Sequence, residues 1–160
     1  MLVAATLVRY GLGADGIAWS LGQLLLGAIA WVDLRTRTIP SGVLAFAVGA
    51  LVALRSVYAP GAQVQTIAAG VIAFALFFVL ALLFKGGIGM GDVALVGLLG
   101  VMLGADVVFA LLAGCVAGSL GALALIVVRR ASLRSTFAYG PYLALGGSLA
   151  IVFATPPPFV

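Results

Sequence analysis

Neither histidine nor glutamate occurs anywhere in the 160 residues, and there is one cysteine. Each absence removes chemistry. Without histidine there is no serine triad, no cysteine–histidine pair and no HExxH zinc site. A lone thiol, Cys115, makes neither an internal disulfide nor a cysteine-based zinc site, and inside its apolar run it reads as a small buried hydrophobe. Charge is scarce too. Only 8% of residues are charged, against about 25% in a soluble domain. The acidic residues are Asp15, Asp33, Asp92 and Asp106. What fills the chain instead is apolar: 65% of residues are hydrophobic and the mean hydropathy is +1.36. Such a surface cannot be covered with polar groups, so lipid is its natural solvent.

A bilayer core of roughly 30 Å takes about 20 apolar helical residues. The chain divides into six candidate spans: Ile17–Val32, Gly42–Tyr58, Thr66–Phe84, Val93–Leu103, Val107–Val128 and Phe137–Ala154. Pro40 opens the second and Pro60 with Gly61 closes it. The fourth would rise only about 17 Å, roughly half a bilayer. The expected fold is therefore all-α, a polytopic membrane protein of about six transmembrane helices, one of them short. No separate soluble domain is visible, so residues 1–160 read as one integral membrane domain. The TPPPF tail from Thr155 reads as a helix stop.

Basic residues orient the spans. Arg35, Arg37, Lys85, Arg129, Arg130 and Arg134 follow the odd-numbered spans, whereas Arg9 and Arg55 fall on the other side. The positive-inside rule puts the larger set in the cytoplasm and both termini outside. The net charge of +4 is explained by topology and needs no nucleic-acid partner. On this map Asp33 and Asp92 share the cytoplasmic face, and Asp15 and Asp106 the outer one.

Asp92 closes the glycine-rich stretch KGGIGMGD, Lys85 to Asp92. Taken singly, Asp92 reads as a helix N-cap and Asp33 as a solvated boundary residue pairing weakly with Arg35 or Arg37. Taken together, two carboxyls within hydrogen-bond reach share a proton, one serving as base on water and the other as acid on a carbonyl. That chemistry needs no metal or cofactor. Gly89 and Gly91 would permit positive φ and a close approach of substrate backbone. Gly97, Gly100, Gly104, Gly114, Gly118 and Gly121 read as close helix contacts.

Three segments carry a resemblance. GMGD, Gly89 to Asp92, matches the GxGD motif of intramembrane aspartyl proteases. DLRTRTIPS, Asp33 to Ser41, resembles the D-x5-I-P-N element of type IV prepilin peptidases. FAYGPYLALG, Phe137 to Gly146, is similar to their closing segment. The resemblance implies an inner-membrane endopeptidase that cuts the basic leader from type IV prepilin or pseudopilin precursors at the cytoplasmic face. Asp33 and Asp92 would be catalytic, and Gly89 and Gly91 would form a substrate loop. The length resembles compact members associated with tight-adherence pili. The insertion with paired cysteines that accompanies N-methylation in larger enzymes has no counterpart, so no methyltransferase activity or zinc site is expected. Two positions depart from the pattern: Ser41 stands where Asn is usual, and Ala94 where Lys is common. YGPYLALG also reads as a proline-kinked packing helix, which leaves Gly140 and Pro141 outside the catalytic set. Two other classes stay open: a small proton- or cation-coupled transporter or channel subunit, and a non-catalytic pilus-assembly partner. The oligomeric state is not legible.

Overall fold

A computed structural model describes residues 1–36, 41–84, 88–127, 139–154 and 156–157. These residues fold as seven α-helices: α1 (Leu2–Tyr10), α2 (Ala14–Thr36), α3 (Ser41–Tyr58), α4 (Pro60–Leu83), α5 (Met90–Leu103), α6 (Val107–Val127) and α7 (Gly140–Phe153). A single 3₁₀ turn, Gly104–Asp106, joins α5 to α6. There is no strand among the described residues. Three apolar stretches are long enough to cross a membrane: α2, α4, and the run from Met90 to Ala124 through the 3₁₀ turn. The expected all-α membrane architecture is what is found.

Boundaries differ where a residue has two jobs. Pro60 was expected to close the second span and instead opens α4, with Ala59 as N-cap and Pro60 in the first turn. Proline costs least there, because that N–H has no intrahelical partner in any case. The turn between α3 and α4 is therefore one residue long. α1 was not expected at all. Its nine residues are below span length and end in Arg9. It forms because it packs on α2 and α7, not because of its hydropathy.

The centre of the molecule is α5. Val93 and every residue from Leu95 to Leu103 are buried. A helix apolar on all sides finds a stable place only when covered on all sides, and α3, α4, α6 and α7 cover it. Glycine sets how closely. A Cβ on Gly100 would sit 2.6 Å from the Gly70 Cα and 2.8 Å from the Ala69 carbonyl oxygen, so α4 and α5 touch backbone to backbone. Likewise, a Cβ on Gly146 of α7 would collide with the Ala110 carbonyl of α6, and one on Gly114 would come within 3.0 Å of the Tyr142 carbonyl. The expected glycine contacts are present at Gly97, Gly100, Gly114, Gly118 and Gly121. Gly104 has a further role, since its φ of 61° turns the chain out of α5. Lipid-facing residues are large and apolar, as at Val71, Ile72, Leu76 and Leu82 of α4.

α5 and α7 are both 14 residues, about 21 Å of helix, whereas α4 has 24, about 36 Å. The N-termini of α5 and α7 lie at one end of the bundle and their C-termini at the other. Two arginines bind the C-termini. Arg55 is 1% exposed and donates to the carbonyls of Val101 (2.6 Å) and Met102 (2.9 Å) at the end of α5, and to Pro157 at 3.4 Å. Arg9 donates to the Val152 carbonyl at the end of α7, and the Tyr10 hydroxyl to the Ile151 carbonyl at 3.0 Å. Arg55, within the second candidate span, was counted with the charges of the outer side. It is an interior group in the last turn of α3. The tail likewise does more than stop a helix, since Pro157 lies against Gly104 and its carbonyl accepts from Arg55.

Candidate active site

The opposite end of the bundle holds the two aspartates singled out in the sequence. Asp33 lies near the end of α2, three residues before its last, and is 5% exposed. Its expected solvated position is not found, nor an arginine partner among the described residues. Arg35 turns away and lies over the Trp31 ring, 4.7 Å from its centroid. A cation over an exposed indole is a common arrangement at a membrane surface, where the ring's body is apolar and the guanidinium stays wet. Arg37 lies outside the described residues.

What holds Asp33 is α7. The Gly140 N–H donates to the Asp33 carboxyl. Local sequence explains why that donor is free. Gly140 is the first residue of α7 and Pro141, the second, has no N–H. The third, Tyr142, donates to the Tyr139 carbonyl at 3.0 Å. The first turn therefore offers one uncommitted donor, and Asp33 takes it. The second carboxyl oxygen, Oδ2, is buried and has no hydrogen-bond partner among the described residues.

Asp92 belongs to α5 but is not its N-cap. The helix begins at Met90, so Gly89 is the N-cap and Asp92 sits in the first turn. Asp92 N–H donates to the Gly89 carbonyl at 3.0 Å, and the Gly89 N–H donates back to the Asp92 carboxyl. This is the reach-back half of a capping box, in which an acidic side chain at the third helical position satisfies the N-cap N–H. Gly89 has φ −72° and ψ 143°, and Gly91 is helical, so neither takes the positive φ expected of it. The absence of a side chain at Gly89 does keep the approach to Asp92 open: a Cβ there would lie 3.5 Å from Oδ2. Lys85, Gly86 and Gly87 lie outside the described residues. Ala94, where a lysine was the common pattern, packs against the core.

Asp33 and Asp92 lie within electrostatic reach of each other. Helices far apart in sequence thus bring two carboxyls together beside the N-termini of α5 and α7. Tyr139, the N-cap of α7, is also within electrostatic reach of Asp92. Its ring covers Gly118 and its hydroxyl donates to Cys115 Sγ at 3.0 Å. Cys115 is exposed, not buried as its apolar neighbours suggested. Asp15 and Asp106 belong to the other end, where both lie near Tyr10 and Asp15 also near Arg55. No cluster of three metal-ligating side chains occurs among the described residues.

Sequence reasoning singled out Asp33 and Asp92 and left Gly140, named with Pro141, outside the catalytic set. A backbone donor has no side-chain signature. The signal present was Gly-Pro, which marks a helix start as readily as a kink.

A sequence model of the type IV leader peptidase family matches residues 20–126, a segment that contains both aspartates. The prepilin leader peptidase/N-methyltransferase of Bacillus subtilis (strain 168) is 26% identical over 157 residues, which cover 95% of this chain and 62% of that protein. The chain thus spans less than two thirds of the relative's length. No solved structure matches. The chain belongs to the type IV leader peptidase family.

Proposed function

We propose that this member of the leader peptidase family is a membrane aspartic endopeptidase. It removes the basic leader from type IV prepilin-like precursors at the cytoplasmic face of the bacterial inner membrane. The observation that carries the reading is the electrostatic proximity of Asp33 and Asp92, one buried with an unpaired oxygen, at one end of the bundle.

The chemistry follows from the pair. One ionised carboxylate takes a proton from water as the oxygen attacks the scissile carbonyl. The other carboxyl, protonated, gives its proton to the carbonyl oxygen. The tetrahedral intermediate collapses as a proton passes to the leaving amine, and one proton is again shared between the two acids. No metal and no cofactor enters. The two short helices point the positive ends of their dipoles at the carboxyls, which favours negative charge where the reaction needs a base. Gly89 and Gly91 leave the wall beside Asp92 without side chains, so an extended substrate segment can lie against it.

The transporter alternative loses its support, because the matched family is one of peptidases. A non-catalytic partner is separated from an enzyme by one assay. Co-expressed prepilin, resolved by gel shift, should be processed by the wild type and by Asp15→Asn and Asp106→Asn. Asp33→Asn and Asp92→Asn should each abolish processing while protein level and membrane insertion stay normal. Asn keeps the shape and most hydrogen bonds of Asp but cannot take up the catalytic proton. Processing at a near-wild-type rate by either variant of the pair would overturn the two-aspartate mechanism.

A further inference from the structure

We propose that the N-terminus of α7 is a third part of the site: the Gly140 N–H positions Asp33, fixing one carboxyl oxygen so that the other meets the water or the substrate. This rests on the two-aspartate reading and deepens it. Gly140 lies beyond the residues that the family match covers.

Three observations converge. The donor is aimed at Asp33, and Asp33 lies on a different helix that is buried against α7. The donor is reserved, because Pro141 has no N–H and Tyr142 is committed to the Tyr139 carbonyl. The partner oxygen Oδ2 is buried and without a hydrogen-bond partner among the described residues. A buried polar atom left unsatisfied is costly, so its retention needs a reason. A carboxyl free to rotate would present either oxygen. One anchored by a single fixed donor presents the same oxygen every time. The anchor is also stiff. α7 is held to α6 by backbone contact at Gly146 and Gly114, and clamped at its far end by Arg9 and Tyr10. The Gly140 N–H therefore cannot follow Asp33 if Asp33 swings. Pro141 acts by subtraction: with a second free N–H in the same turn, both oxygens could be taken.

A backbone donor is tested by a backbone change. Glycolic acid incorporated at position 140 converts the Tyr139–Gly140 amide to an ester and deletes that N–H alone. The matching control is the α-hydroxy analogue of leucine at position 149, which deletes an ordinary helix donor in the far half of α7. Both proteins, in lipid nanodiscs, are assayed on a prepilin peptide alongside wild type and Asp33→Asn, and their thermal unfolding is recorded. Loss of a hydrogen bond to a charged group should lower kcat about ten- to hundredfold. KM should stay within about twofold and the acid limb of the pH–kcat profile should move, because the change acts on the reacting carboxyl and not on substrate binding. The control ester should keep its kcat and pH profile at a similar melting temperature. An unchanged kcat and pH profile in the position-140 ester would overturn the inference. So would an equal loss in the control, which would make the effect one of helix stability. The underlying reading fails separately: it falls if Asp33→Asn is active, whereas an inactive Asp33→Asn beside an unaffected ester removes only the role of Gly140.

Discussion

At one end of α5 and α7, two helix N-termini face Asp92 and Asp33; at the other, two C-termini face Arg55 and Arg9. The dipole logic is the same at both ends, with charges matched to the partial charge of the helix terminus. The degree of satisfaction differs. Arg55 donates to three carbonyls from two segments, and Tyr10 adds a second donor at the end of α7. That end is the more fully bonded, although Arg55 Nε takes no part in these bonds. At the acid end each carboxyl receives one backbone N–H, Oδ2 of Asp33 has no hydrogen-bond partner among the described residues, and the neighbouring Met90 is 57% exposed. On the proposed reading, the less bonded end is where a water and a peptide bond would complete the set.

If the two ends differ in this way, they should also face different compartments. Thr36 is exposed next to the acid end, and Gly61 is exposed at the start of α4 beside the arginine end. In a Cys115→Ala background, needed because the native thiol is itself exposed, Thr36→Cys should label only from the cytoplasm. Gly61→Cys, where a Cβ meets nothing within 4 Å, should label only from outside. This is an all-or-none difference, and labelling of both from one side would break the comparison outright.

The next largest effect separates the acid pair from the sum of its parts. Asp33→Asn combined with Asp92→Asn should process prepilin no more slowly than either single variant. Each single loss, of the order of 10³-fold or more, should already be total for a unit that needs both carboxyls. A double variant slower than the singles by the product of their separate losses would mean that the two acids act independently.

Arg55→Met should do the reverse. It leaves the α5 C-terminal carbonyls without their charged donor, and hydrogen bonds to charged groups are worth about 1.5–3 kcal/mol each. A stability loss of about 3–6 kcal/mol is expected from two good bonds, read as a lower unfolding midpoint in detergent. The kcat per folded molecule should hold. A wild-type midpoint with a collapsed kcat would move Arg55 from the structural end into the catalytic one.

Much of this contrast was legible in the sequence, and the illegible parts share a cause. Hydropathy found the helices from α2 to α7 because burial in lipid is a bulk property of a 20-residue window. It missed α1, where nine residues depend on packing against α2 and α7. Arg55 was counted with the outer-side charges because one basic residue near the end of an apolar run looks the same whether it reaches water or a helix C-terminus. Three-dimensional proximity to Val101 and Met102 decides. Cys115 read as buried because its neighbours are apolar, yet in lipid an apolar neighbourhood is also what an exposed face looks like. Asp33 and Asp92 were each ambiguous alone; their shared face on the topology map suggested the pair, and the resemblance of three segments added to it. Gly140 was named but left outside the set, since the contribution proposed for it is a backbone N–H, which no side chain signals.

The smallest expected effect sharpens what satisfaction means at the arginine end. Tyr10 contributes two things there. Its hydroxyl donates to the Ile151 carbonyl at 3.0 Å, and its ring stacks on the buried Trp19 with centroids 6.0 Å apart. Tyr10→Phe removes the first and keeps the second. The Ile151 carbonyl is left at the last turn of α7, where intrahelical donors have run out, so the loss should be that of one neutral hydrogen bond, about 0.5–1.5 kcal/mol. Tyr10→Ala removes the stacking as well and should cost more by about 0.5–1.5 kcal/mol beyond the lost area. Neither should change kcat, because Arg9 still donates to Val152 and α7 keeps its axial position. The measurement is a pair of unfolding midpoints with prepilin kinetics on the same preparations. If Tyr10→Phe lowered kcat while leaving the midpoint alone, the far clamp on α7 would be setting the position of Gly140 at the site, and the two ends would be one mechanism.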